Sequence, residues 1–259
     1  MVFMAVPILA PSIGQGILLV GSWRLIFEVI AGGGLLCLIW FAARMPETLK
    51  PENRLPLSIR ATLAGWRETA ADRYSLGYTI AAMICQGAIF GYLSSIQPIM
   101  AQVFRQPAWL GGVFAASAGT MAAANLLNSR IVMRVGMRRI SQIALVVMIV
   151  SSGTGLIVGR LGDEPLLVFV VVQAITMACF GLATSNMSAM AMENMGGIAG
   201  TASSVQGFFG ITFGAVIGWL IGWSFDGTTG PMHTGFLVAG VAGLTIAAIV
   251  ERGRLFRPS

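Results

Sequence analysis

Eight long apolar runs follow one another along this chain, and the joints between them hold most of its charge. The runs fall near residues 2–20, 25–43, 76–99, 110–127, 140–158, 166–192, 200–223 and 235–250. A helix of ~20 apolar residues spans the ~30 Å hydrocarbon layer of a membrane. Only 10% of the 259 residues are charged, whereas a water-soluble domain uses about 25% to clothe its surface. The runs are continuously apolar, not alternating. That favours helices, which satisfy their backbone hydrogen bonds internally, over a barrel. The sequence therefore predicts an all-α polytopic membrane protein with eight transmembrane helices.

The formal charge of +6 reads as a topology signal. Thirteen of the 16 Lys and Arg residues fall on one side of the predicted spans: Arg44, Lys50, Arg54, Arg60, Arg67, Arg73, Arg130, Arg134, Arg138, Arg139, Arg252, Arg254 and Arg257. The other side holds Arg24, Arg105 and Arg160. Basic joints stay on the cytoplasmic face, so both termini are expected in the cytoplasm, with the chain in the plasma membrane. The natural partner of this charge is membrane lipid with anionic headgroups, not nucleic acid. Cys37, Cys85 and Cys179 lie within spans at no ligand spacing and read as buried structural thiols. The N-terminus carries no charged leader before its first apolar run, so no signal peptide is expected there.

One joint is long. Residues 44–73 form a polar connector that divides the chain into two spans before it (1–43) and six after it (74–259). Met45-Pro46-Glu47 ends the second span, because proline cannot continue the hydrogen-bond ladder. After Pro56, Ile59, Leu63, Trp66 and Ala70 recur at helical spacing, with Arg60 and Arg67 able to reach headgroups. This predicts an amphipathic surface helix.

Three patterns inside the spans carry functional weight. In the first span, Pro7 and Pro11 remove two helix donors, and Gly14 and Gly16 admit a neighbouring backbone. Such a helix is either simply kinked or part of a moving seam. In the seventh span, Gly210, Gly214, Gly218 and Gly222 form a groove suited to close helix packing, static or sliding. Ala115, Gly119 and Ala123 repeat it more mildly in the fourth span. Polar residues within spans are the default functional candidates. Here they are Gln86, Gln97, Asn125, Gln173, Asn186 and Gln206, with Tyr92 nearby. Gln86, Tyr92, Asn186 and Gln206 are the candidates for lining a substrate cavity, against the alternative of ordinary interhelical bonds.

Enzymatic chemistry has little to stand on. His233 is the one histidine and is placed in a joint outside the last span, so no metal site or histidine-based nucleophile is expected. The glycine-rich runs lie in apolar helices, not after a strand, which argues against a phosphate loop. No cofactor is called for. No acidic residue falls mid-span: Glu28 is one turn from Arg24, Glu193 ends the sixth span, and Asp226 lies in a joint.

Several landmarks together resemble one family. Ala10-Pro11-Ser12-Ile13-Gly14-Gln15-Gly16 is similar to the fifth-helix antiporter motif of the major facilitator superfamily, a Gly-Pro-x-x-Gly-Gly core, with Pro11 and Gly14 in place and Ala10 and Gln15 replacing glycines. Trp23-Arg24-x-Ile26-Phe27, Pro46-Glu47-Thr48-Leu49, Tyr92-Leu93-Ser94-Ser95 and Ala199–Ser204 resemble its drug-resistance branch, the bicyclomycin-resistance (Bcr/CflA) exporters. Asn128-Ser129-Arg130 through Gly136-Met137-Arg138-Arg139 is similar to the second copy of the family's basic loop.

The resemblance implies that the eight spans correspond to helices five to twelve of a twelve-helix fold, with the first four absent. Residues 1–43 would be the last two helices of the amino-terminal half, 44–73 the cytoplasmic connector and 74–259 the complete carboxyl-terminal half. The implied function is proton-coupled efflux of small amphipathic compounds or drugs across a bacterial inner membrane. The absent helices carry the residues usually credited with proton coupling, and by the same resemblance the second helix, the expected partner of the glycine groove. A missing amino-terminal half or a second copy of the chain is the expected partner. The alternative is a half-transporter without transport of its own, acting as an assembly module or a non-functional remnant.

Overall fold

The computed structural model describes residues 13–14, 16–46, 59–162 and 164–256. Eight α-helices of ten residues or more lie among them: α1 (Trp23–Arg44), α2 (Ile59–Ala71), α3 (Arg73–Pro98), α4 (Leu110–Val135), α5 (Met137–Leu161), α6 (Leu166–Ala191), α7 (Ala199–Trp223) and α8 (Gly230–Val250). All but α2 are long and apolar enough to cross a membrane. The chain is a multi-pass helical membrane protein. Most of the first predicted span, with Pro7 and Pro11, lies outside the described residues; Gly14 and Gly16 lie within them, with no neighbouring atom within 4 Å of a Cβ built on either.

The helix ends follow local chemistry. Asp72 caps α3 by accepting a 2.7 Å hydrogen bond from the Ser75 amide. Pro98 removes a donor near the other end, and the chain continues as one π turn over Ile99–Val103. Helix α4 runs on past the predicted apolar limit to Val135, and Gly136 alone turns the chain into α5, at a φ of 89° that favours glycine.

Helices α3 to α8 pack as one bundle with a twofold pattern. Helix α3 packs on α7 and α8, and α6 packs in the same way on α4 and α5. The pairs α3–α6 and α5–α8 close the set. Exchanging α3–α4–α5 with α6–α7–α8 reproduces each of these contacts, the mark of an internal repeat. Helices α3 and α6 are central and hold most of the largest buried side chains, among them Tyr78, Tyr92, Phe169, Met177 and Met187. Helices α4 and α7 bury far less and present their remaining apolar faces outward.

Helix α1 carries no buried residue at all, so Cys37, expected to be a buried thiol, is exposed. Helix α2 is amphipathic, but Gly65 and Thr69 face the bundle and Trp66 sits against Phe208 and Phe209. Ile59 and Leu63, grouped with Trp66 on the apolar side by their spacing, have no protein cover and are exposed. Gly65 sets this rotation, because a Cβ there would lie 2.8 Å from the Thr201 methyl.

Candidate substrate cavity

A cavity of about 660 Å³ opens between α3, α4 and α6. Helix α3 contributes Gln86, Ile89, Tyr92 and Leu93, which share one face at three- and four-residue spacing. Helix α4 adds Phe114, Ser117, Met121 and Asn125, and α6 adds Met177, Phe180, Thr184, Ser185 and Ser188. A smaller cavity of about 240 Å³ adjoins it on the α7 side, sharing Gln86 and Ser188 and adding Thr79, Gln206 and Gly210. Among the described residues, no charged side chain lines either cavity.

The walls combine rings, thioethers and short hydroxyls. Tyr92 donates a long 3.3 Å hydrogen bond to Ser117 Oγ, and its ring meets Phe114 edge-on at 5.7 Å. Ser185 Oγ reaches Asn125 Oδ1 at 3.1 Å, joining α6 to α4. Helix α4 comes this close because residue 181 is glycine: a Cβ there would lie 2.7 Å from Asn125 Nδ2. Gln206 Nε2 is buried without a hydrogen-bond partner. A buried amide donor left open in this way leaves recognition capacity unused.

Of the four predicted cavity residues, Gln86, Tyr92 and Gln206 come together here. Asn186 does not. It is buried, donates to Leu182 O at 2.7 Å, and exchanges hydrogen bonds of 3.0 and 3.4 Å with Asn128 on α4. Its polarity is consumed by helix pairing. Gln97 is exposed, and Gln173 is fully buried with neither amide atom bonded. The hydroxyls Ser117, Thr184, Ser185 and Ser188 carried no sequence signal of their own, since in membrane helices such groups commonly bond their own backbone. Thr184 does so, donating to Phe180 O at 2.8 Å. For the three on α6, the shared face at 181, 184, 185 and 188 was the available clue.

The glycine groove of α7 has its partner within the chain. Gly214 meets Phe90 and Gln86, Gly218 meets the backbone of Phe90 and Gly91, and Gly222 meets Ser94, all on α3. Gly87 and Gly91 of α3 receive Ile217 and Ile221 of α7 in return. Small residues on both helices allow this approach, so the groove needs no missing helix at these positions. Gly210 alone of the four has nothing within 4 Å. Gly119, in the milder α4 stripe, is equally open, with Ala115 and Ala123 exposed beside it.

At the basic end of the bundle, Arg138 pairs with Glu193 and Glu251, each at 2.9 Å. Tyr78 donates to the same Glu251 carboxylate at 2.7 Å. The second basic-loop segment thereby ties together the ends of α3, α5, α6 and α8. His233, expected in a joint, instead occupies the first turn of α8 and is fully buried, because α8 begins at Gly230 and the predicted span at 235.

The Major Facilitator Superfamily pattern matches residues 1–222. This chain belongs to the major facilitator superfamily. Over 233 residues it is 32% identical to a bicyclomycin resistance protein homolog of Haemophilus influenzae, covering 90% of this chain and 58% of that protein. Over 243 residues it is 28% identical to YdgK, an MFS-type transporter of Bacillus subtilis, covering 92% of this chain and 59% of the relative. This major-facilitator chain thus spans less than three-fifths of the length of either relative. The family is one of membrane transporters.

Proposed function

We propose that the chain is part of a major-facilitator exporter that moves small amphipathic compounds out across the bacterial inner membrane at the expense of the proton gradient. The observation that carries this reading is the pair of adjoining cavities, apolar and aromatic with a few amide and hydroxyl groups and without fixed charge, between helices related by an internal repeat. Such a surface suits ligands that are largely apolar with a few hydrogen-bonding groups. Residues 74–259 act as one rocking half. Residues 1–43 belong to the opposite half, in keeping with an α1 that buries nothing, and residues 44–73 connect the two on the cytoplasmic side, where both termini lie.

In this scheme further helices, from an amino-terminal half or a second copy, cover α4 and α7 and close the cavity. Gly210 and Gly119, open on those two helices, present the smooth surfaces for that closure, and Pro7, Pro11, Gly14 and Gly16 let the facing helix bend. Gln86, Tyr92 and Gln206 hydrogen-bond the ligand. The test is accumulation of a fluorescent amphipathic compound in cells stripped of their own exporters. Expression of the exporter containing this chain lowers accumulation, a protonophore restores it, and Gln206→Leu changes which compounds are excluded at equal protein level. Unchanged accumulation for every compound would overturn the proposal. A second reading, assembly without transport, is favoured by the uncovered α1. It predicts that these residues alone associate with partner helices but exclude nothing.

A further inference from the structure

We propose that Glu164 and His233 form a proton-binding site at the end of the bundle opposite Arg138, where one proton held between them ties the α5–α6 joint to helix α8. Both side chains are withdrawn from solvent, His233 at 0% and Glu164 at 4% exposure, and His233 Nε2 faces Glu164 Oε1 at 3.7 Å. Neither ring nitrogen has a hydrogen-bond partner, and neither has Glu164 Oε1. The other carboxylate oxygen accepts a 2.6 Å hydrogen bond from Thr229 Oγ1. Three buried polar atoms left open in one place are a rare arrangement, since buried polar groups are nearly always paired.

The surroundings are built for this ring. Gly155 of α5 lies under it, and a Cβ there would sit 2.6–2.8 Å from the imidazole. Phe169 of α6 meets it edge-on at 5.9 Å. The carboxylate lines a cavity of about 390 Å³ with Gly159, Gly162, Thr228 and Thr229, which gives protons and water a path to the pair. Among the charged groups of adjoining elements, Arg160 of α5 and Asp226 of the α7–α8 joint line a different cavity, with Thr228 between. Arg105 follows the π turn of α3. Among the described residues, none of the three makes an ion pair with Glu164 or His233; Asp163 lies outside the described residues.

The chemistry follows from the inventory of atoms. With no proton on the pair, a buried carboxylate faces a neutral ring and carries an uncompensated charge, an arrangement that burial disfavours. One added proton leaves the pair neutral overall, as imidazolium and carboxylate, and makes both ring nitrogens donors, so that an Nε2–H···Oε1 bond forms whichever tautomer the neutral ring held and carries charge on both partners. Loss of the proton to the adjoining cavity opens the contact again. The bond ties Glu164, ahead of α6, to α8, so its making and breaking bears on how the α5–α6 joint is held.

The single histidine makes the test clean, because histidine-specific 15N labelling of the full chain in lipid nanodiscs gives one protein imidazole. The expected result is passage of His233 from neutral ring to imidazolium as the pH is lowered from about 9 to about 5, and loss of that transition in Glu164→Gln. A His233 that stays in one state throughout, or a Glu164→Gln curve that overlays the wild type, would overturn the proposal. Should Glu164→Gln fail to fold, Thr229→Val is read instead. It removes only the hydroxyl donor to the carboxylate, and its transition must be displaced from wild type; superposition of the two curves overturns the proposal. The test involves no transported compound, so its failure leaves the export reading standing, and the reverse holds.

Discussion

Substituting Ala for Gly218 puts the α3–α7 seam under direct strain. The new methyl would lie 2.9 Å from the Phe90 carbonyl carbon and 3.0 Å from the Gly91 nitrogen, where ordinary contact begins near 3.4 Å. Neither these backbone atoms nor the Phe90 Cβ, which lies closer still, can rotate aside, so the two helices must part by about an ångström, which also loosens Ile221 from Gly91. Overpacking of this kind costs about 1–3 kcal/mol, while exchanging glycine for alanine within a helix returns about 0.5–1 kcal/mol. The net expectation is a loss of about 1–2 kcal/mol, a roughly 5- to 30-fold shift toward the unfolded state. Gly210→Ala is the matched control on the same helix. Nothing lies within 4 Å of its methyl, so it should be neutral or gain up to about 1 kcal/mol. Unfolding in mixed micelles by increasing detergent fraction, followed by tryptophan fluorescence, measures both. Equal effects at the two positions would refute the claim that α3 fills the groove at Gly218 and not at Gly210.

Other substitutions separate the cavity from its scaffold. Asn186→Leu removes both bonds to Asn128 and should lower stability by about 1–3 kcal/mol and reduce the folded yield, measured by fluorescence-detected size exclusion. Gln206→Leu should leave the yield unchanged and alter the compounds that bind, measured by fluorescent-ligand displacement. Arg138→Gln strips the Glu193 and Glu251 carboxylates of their shared guanidinium; a loss of about 1.5–3 kcal/mol is expected in the same micelle assay, and no loss would show the network to be ornamental.

The helices were legible because membrane spans announce themselves by length and apolarity, and the polar joints gave most of their ends. Which face of each helix packs was not, since lipid-facing and protein-facing residues are equally apolar in this solvent. The α7 glycine stripe shows the consequence. Its spacing revealed a close contact, but nothing in Gly214 or Gly218 distinguishes Phe90 of α3 from a helix outside the chain. Gln86, Tyr92 and Gln206 were legible as costly polarity within spans, and Asn186 looked the same until its pairing with Asn128 was visible. Glu164 escaped notice, and His233 was read as a joint residue without a partner, because each stands beside a joint, where a polar residue is ordinary; only the fold brings them together in a buried place.

The central claim is that the face shared by α3, α4 and α6 is a water-accessible substrate passage, while the outer faces of the bundle meet lipid. Single cysteines at Ser185 and Ser188, against Val150 and Ile157 as exposed apolar controls, test it in a Cys37→Ala background, since Cys37 is itself exposed. Membranes bearing the assembled exporter would be treated with a charged, water-soluble maleimide. The account predicts labelling at 185 and 188, slowed by a transported compound, and silence at 150 and 157. Labelling of the controls with silence at the two serine positions would contradict it.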